Sequence, residues 1–171
     1  MTSDSLLAVA LRRRVPRSTF DPIDETLPHH RRQPRIGRAI AQKLAGAEHT
    51  LLLHGRDREA LAKTCSLVEA KSGKVIPLCY DLRYTGEIEK MIDEIGSPPL
   101  DALINNAGIA VVKPLGEITL EEWETIFAVN VTAPFLLTQR LVPKMVTGSS
   151  IVNILSVAAK TGFPVTGAVI A

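Results

Sequence analysis

Asp101-Ala-Leu-Ile-Asn-Asn-Ala-Gly108 decides how the rest of this 171-residue chain is read. A short apolar run, Ala102 to Ile104, ends in two side-chain amides and then two of the smallest residues. That is the pattern of a buried strand ending at a crevice where something large lies close to the backbone. Asn105 and Asn106 can bridge neighbouring backbone groups, while Ala107 and Gly108 leave room for a ligand. In open parallel sheets, ligands bind at the carboxyl ends of strands, where this stretch would sit. Taken alone, the plainer reading is a strand end with an Asn-rich turn. The flanking segments have to decide.

Working outward, the pattern alternates. Upstream, Ile36, Ile40 and Leu44 fall at i, i+4 and i+8, which predicts a helix to about Gly46. Thr50 to Leu53 reads as a buried strand closed by His54-Gly55-Arg56-Asp57. Asp57 can cap a second helix carrying Leu61, Cys65 and Val68, and Gly73 ends it. Val75 to Tyr80 is the next strand, running into Asp81-Leu82, and a helix from about Gly86 to Ile95 follows. Gly96 and Pro98-Pro99 stop that helix just before the opening stretch. Downstream, Thr119-Leu-Glu-Glu122 forms a capping box. The helix it starts carries Trp123, Ile126, Phe127 and Asn130 to about Met145, with Pro134 kinking or interrupting it. Ser150 to Ile154 is a last strand, reaching Leu155-Ser156. Strictly alternating helices and strands mean an α/β fold, a doubly wound parallel sheet covered on both faces.

Composition bounds the function classes. Apolar residues make up 46% and charged residues 22%, ordinary for one soluble globular domain. No uninterrupted apolar run approaches the roughly 20 residues that cross a membrane. Cys65 and Cys79 have neither metal-ligand spacing nor the numbers for a disulfide framework, so the expected setting is reducing and cytoplasmic. Net charge is +2, but residues 1–35 hold seven Arg against four acids, leaving −1 for the remainder. That segment also contains four of the eleven prolines, Arg12-Arg13-Arg14 and a single apolar run, Leu6 to Leu11. Its arginines follow the apolar run, the reverse of a secretory signal. An Arg-rich transit peptide or a nucleic-acid arm are the lesser alternatives. A nucleic-acid surface would spread its basic residues over an organised face with interleaved aromatics. Residues 1–35 therefore read as an irregular basic segment outside the fold.

Four motifs, in one order, carry a resemblance. They are Asp81-Leu82 at a strand end, Asn105-Asn-Ala-Gly108, Asn130 within Val129-Asn-Val131, and Ser156 within Val152-Asn-Ile-Leu-Ser156. Residues 36–164 resemble the short-chain dehydrogenase/reductase family of NAD(P)-dependent oxidoreductases, which implies a partial Rossmann-type domain over 36–171. By that resemblance Asp81 and Leu82 flank the adenine, with the Asp81 carboxylate accepting from its amino group. Asn105, Ala107 and Gly108 line the crevice under the cofactor, and Ile36 and Gly37 are the remnant of the phosphate turn. Ser156 would hydrogen-bond the substrate oxygen, and Asn130 would hold a water in a proton relay. The implied substrate is a small alcohol or carbonyl compound, and homo-oligomers are usual in the family. Gly55 stands where NAD-binding sheets place an acid, and Arg56 follows it. A guanidinium there can pair with a 2′-phosphate, which favours NADP over NAD.

Two departures accompany these matches. The family's first strand and its Thr-Gly-x-x-x-Gly-Ile-Gly turn are replaced by His29-His-Arg-Arg-Gln-Pro-Arg35 before Ile36-Gly37. The strand ending at Asn105 would then lose a neighbour and expose an edge, with Leu6 to Leu11 the available substitute. His29 to Pro34 can be written CAT-CAC-CGG-CGC-CAG-CCG; one base later the same letters read Ile-Thr-Gly-Ala-Ser, which points to a frame change that the gene's codons would reveal. The second departure is that neither Tyr80 nor Tyr84 has a Lys four residues on, so no Tyr-x-x-x-Lys pair is present. The expectation is a truncated family member with impaired turnover; the alternative is a non-enzymatic nucleotide-binding or interaction protein that retains a partial sheet.

Overall fold

A computed structural model describes residues 36–71 and 73–156, together with the backbone of residues 7–9. In chain order the elements are β1 (Leu7–Val9), α1 (Ile36–Leu44), β2 (Thr50–His54), α2 (Arg58–Glu69) and β3 (Lys74–Leu78). They continue with α3 (Thr85–Ile95), β4 (Leu100–Asn105), α4 (Leu120–Phe127), α5 (Ala133–Leu141) and β5 (Met145–Asn153). The sheet order is β3-β2-β1-β4-β5. β2 pairs parallel with β3, and β4 parallel with β5, as the alternation requires.

Side-chain alternation along the strands divides the core into two layers. On one face Leu51, Leu53 and Ile104 pack with Ala41 of α1 and with Leu61, Cys65 and Val68 of α2. On the other, Leu52, Leu78, Leu100 and Leu103 meet Ile88, Met91, Ile92 and Ile95 of α3 and Ala133, Leu137 and Leu141 of α5. Helices thus cover both faces. The same alternation puts His54 on the face of Leu52 and Asn105 on the face of Leu103, so each strand ends in a polar side chain at the crevice.

Several local rules hold. The Asp57 carboxylate accepts from Ala60 N–H at 2.9 Å and caps α2. Thr119 and Glu122 form the full capping box at the start of α4. Pro134 has no N–H for the helix ladder, and the turn before it widens into a π-helix over Ala128–Thr132. The resulting helical stretch, Leu120–Lys144, is long and apolar enough by composition to cross a membrane. Its Ala133, Leu137 and Leu141 are instead spent on the sheet.

Three expectations need correction. The helix does not run to Met145: Pro143 lies in a short 3-10 turn, and β5 begins at Met145 rather than Ser150. The early start is irregular, because β5 shifts register against β4 between Leu100 and Ala102 and Gly148 takes a φ of 91°. The expected open edge on β4 is also closed. Leu7–Val9 lies between β2 and β4, pairing Ala8 with Leu53 on one side and with Ile104 on the other. It runs antiparallel to both neighbours, so it fills the central place without restoring an all-parallel sheet. The His29–Arg35 stretch, Arg12–Arg14 and everything after Ser156 lie outside the described residues.

Candidate functional site

The carboxyl ends of β4 and β5 open into a cavity of about 610 Å³. Its floor is Asn105 and Asn153, its near wall Ala107, Gly108 and Ile109, and its far wall Asn130, Pro134 and Thr138 from the helical stretch. Ser156 stands at the rim. Asn105, Ala107, Gly108, Asn130 and Ser156, scattered over 52 residues of sequence, are therefore brought together in one place.

Asn105 is buried, with 6% of its surface exposed. Its Nδ2 donates to Asn153 Oδ1 at 2.8 Å and, more weakly, to Thr138 Oγ1 at 3.4 Å. This network ties the ends of β4 and β5 to α5. Asn105 Oδ1 has no hydrogen-bond partner although it is buried, an arrangement that disfavours an empty site and calls for a donor.

Asn130 makes a two-point clamp. Its Oδ1 accepts from Ile109 N–H and its Nδ2 donates to the Ile109 carbonyl, both at 2.9 Å. The loop after β4 is thereby fixed against the widened turn, and a Cβ added at Gly108 would lie 3.7 Å from Asn130 Oδ1. Asn130 lines the cavity, with its side-chain amide already bonded to the loop.

A second, smaller crevice of about 20 Å³ adjoins this cavity through the shared wall of Ala107 and Ile109. His54, Arg56, Asp81, Leu82 and Val129 complete it. The Asp81 carboxylate is held below its ordinary pKa, first by hydrogen bonds from the Arg83 side chain, then with help from the Arg83 backbone N–H and the charges of Arg83 and nearby Arg56. Arg83 Nε lies 2.9 Å from Asp81 Oδ2 and Nη2 2.5 Å from the same oxygen. The guanidinium also sits 5.3 Å from the Tyr84 ring.

Ile36 and Gly37 line neither cavity. Ile36 is largely exposed at the start of α1, and Gly37 is buried within it. Neither Tyr80 nor Tyr84 lines either of these two cavities. The Tyr80 hydroxyl bonds Glu94, and that bond first of all pushes its pKa up to about 12. Sequence reasoning missed Thr138, Asn153 and His54. The spacing Asn130, Pro134, Thr138 at i, i+4, i+8 was a usable signal for the first. Asn153 lay inside a quoted motif, and His54 was passed over for the arginine two residues later. Among the described residues no group of His, Cys, Asp and Glu could hold a metal ion.

Comparison with known proteins shows the family. The family model for short chain dehydrogenase matches residues 35–169. Ketoacyl reductase HetN of Nostoc sp. is 38% identical over 133 residues, covering 74% of this chain and 46% of the relative. L-2,3-butanediol dehydrogenase of Corynebacterium glutamicum is 35% identical over 140 residues, covering 78% and 54%. The chain spans about half the length of these curated relatives. Among solved structures, a metagenomic short-chain oxidoreductase in complex with NADP superposes with a TM-score of 0.72 at 31% identity, over 79% of this chain and 63% of that one. The angucycline C-6 ketoreductase LanV with bound NADP gives 0.70 at 29% identity, over 76% and 54%.

Proposed function

The chain belongs to the short-chain dehydrogenase family, and from that premise we propose that its crevice binds a nicotinamide dinucleotide, NADP(H) ahead of NAD(H). The observation that carries this is the gathering of Asn105, Gly108, Asn130 and Ser156 around one cavity at the strand ends. The orphaned Asn105 Oδ1 and the open space beside Ala107 and Gly108 fit such an occupant. When bound, the dinucleotide supplies hydride chemistry between a carbonyl compound and the corresponding alcohol.

The chain's own residues do the rest. Arg56 is exposed at the small crevice and offers a fork for a 2′-phosphate, with no acid at Gly55 to repel it. Asp81 offers a carboxylate to the adenine amino group, which must share it with Arg83 or displace that side chain. The Arg83–Asp81 pair is partly exposed, so displacement costs about 1 kcal/mol or less. Asn130 holds the Gly108–Ile109 loop against the widened turn, keeping the cavity open. Ser156 presents its hydroxyl at the rim, where it would hold a substrate oxygen.

Turnover by the 171-residue chain is expected to be slow, because neither Tyr80 nor Tyr84 has a Lys four residues on to complete an acid–base pair. General acid–base groups contribute roughly 10²–10⁴ in rate. NADPH oxidation followed at 171-residue length with a panel of ketones and aldehydes tests this: rates typical of competent reductases would refute it. A second reading is a nucleotide-binding protein that retains a partial sheet without turnover. Saturable NADPH binding with no substrate-dependent oxidation selects that reading. An Arg56→Gln chain that keeps its preference for NADPH over NADH would remove the argument for the 2′-phosphate.

A further inference from the structure

One buried polar group takes no part in the chemistry above. His54 closes β2 with 2% of its surface exposed. Its Nε2 lies 2.9 Å from the Tyr80 carbonyl oxygen. A carbonyl only accepts, so Nε2 carries the proton and Nδ1 presents a bare lone pair. That Nδ1 is fully buried and has no hydrogen-bond partner. Burial, more than anything else, keeps the ring neutral; the Tyr80 carbonyl and the charge of Asp81 act the other way without overcoming it. The ring therefore faces its surroundings purely as an acceptor.

Those surroundings are the small crevice, with room for one water-sized group and with Asp81 and Arg56 on its walls. Much of the acceptor capacity of Asp81 is taken by Arg83. His54 Nδ1 has nothing. Two acceptors on the walls of so small a space call for a single group with two hydrogens to give.

We propose that His54 determines base specificity: its Nδ1 accepts one hydrogen of the exocyclic amino group of bound adenine, while Asp81 accepts the other. The proposal rests on the reading that this crevice takes the adenine end of a dinucleotide. A base with a carbonyl in place of that amino group sets acceptor against two acceptors and is rejected. A site built around buried acceptors discriminates far more sharply than an apolar one, because the wrong ligand leaves them unpaired.

The test compares NADPH with its hypoxanthine analogue, which exchanges the amino group for a carbonyl and gains a hydrogen on the adjacent ring nitrogen, in direct binding measurements on the 171-residue chain. Wild-type protein is expected to prefer NADPH by about 100-fold, and His54→Leu to lower that preference about tenfold. In the variant the loss falls on NADPH, and affinity for the hypoxanthine analogue does not fall, since a repulsive acceptor has gone. NADPH binding with an unchanged preference in His54→Leu overturns the proposal and makes a water the partner of Nδ1. Should the variant not fold, the nitrogen NMR resonance of His54 Nδ1 in wild-type protein decides. It is expected to shift with NADPH and not with the analogue, and equal response to both overturns the proposal. If wild-type protein binds neither ligand, it is the dinucleotide reading that fails, and this inference falls with it.

Discussion

Asn130→Ala should cost more than its position on a partly exposed helical turn implies. The wild-type amide satisfies both the N–H and the carbonyl of Ile109 at 2.9 Å. Truncation removes two hydrogen bonds at once and leaves two backbone groups in a part-buried loop to find water. A typical net bond is worth about 1 kcal/mol, and a buried group left unpaired costs about 1–3. With partial access to water, the expected loss is about 2–3 kcal/mol. Against a total of roughly 5–15 kcal/mol for a domain, that is a large share. Urea unfolding followed through Trp123, the only tryptophan, measures it. Trp123 stacks against Phe127 with ring centroids 4.7 Å apart, close to the widened turn, so its emission reports on this region. Asn130→Asp sharpens the test. A protonated carboxyl can both donate to the Ile109 carbonyl and accept from its N–H, whereas the ionised form faces that carbonyl with a second negative oxygen. The folded-state pKa is thereby raised, so stability near that of wild type is present at low pH and lost as pH rises through the carboxyl's titration. An Asn130→Ala chain within 0.5 kcal/mol of wild type, or an Asn130→Asp chain indifferent to pH, would refute the clamp; the former threshold is the scatter of ordinary surface changes, about ±0.5 kcal/mol.

Three smaller perturbations test other parts of the account. Asp57→Ala removes the bond to Ala60 N–H and should destabilise the fold by about 1 kcal/mol in the same urea assay. Arg83→Gln should raise the Asp81 carboxyl from its depressed value toward the ordinary 3.8, seen in a carbon NMR titration. Since a depressed carboxyl stabilises the fold above its unfolded pKa and loses that contribution as pH falls through the folded one, the variant should be less stable than wild type at neutral pH and converge with it in acid. Ala8→Pro removes a donor from the strand paired on both sides, at Leu53 and Ile104. It should weaken protection of β2 and β4 amides in hydrogen exchange, and unchanged protection would deny β1 its central place.

Much of this molecule was legible in short-range pattern. Ile36, Ile40 and Leu44 marked α1, Asp57 and Thr119 marked two helix starts, and Pro134 marked the interruption that became a π-turn. Asn105, Gly108 and Ser156 were legible as motifs because they lie at or just past the ends of β4 and β5, where sequence departs from apolar periodicity. What escaped was long-range pairing. Leu7–Val9 lies more than 40 residues from β2 along the chain, and nothing local states that it pairs there, least of all in which direction. The early start of β5 depends on Gly148 and on a register shift against Leu100, neither of which periodicity encodes. The Asn105–Asn153 bond joins residues 48 apart, and the clamp of Asn130 on Ile109 joins residues 21 apart. His54 read as the tail of an apolar strand, and only the folded chain shows that it lines the crevice and carries a buried, unpaired nitrogen.

The central claim is that residues gathered at the ends of β4 and β5 form a dinucleotide site, and calorimetric titration of the 171-residue chain with NADPH tests it most directly. One site per chain is predicted, with binding abolished in Gly108→Leu, whose side chain would enter the cavity beside Asn130. Absence of heat with wild-type protein, or binding untouched by Gly108→Leu, would contradict it.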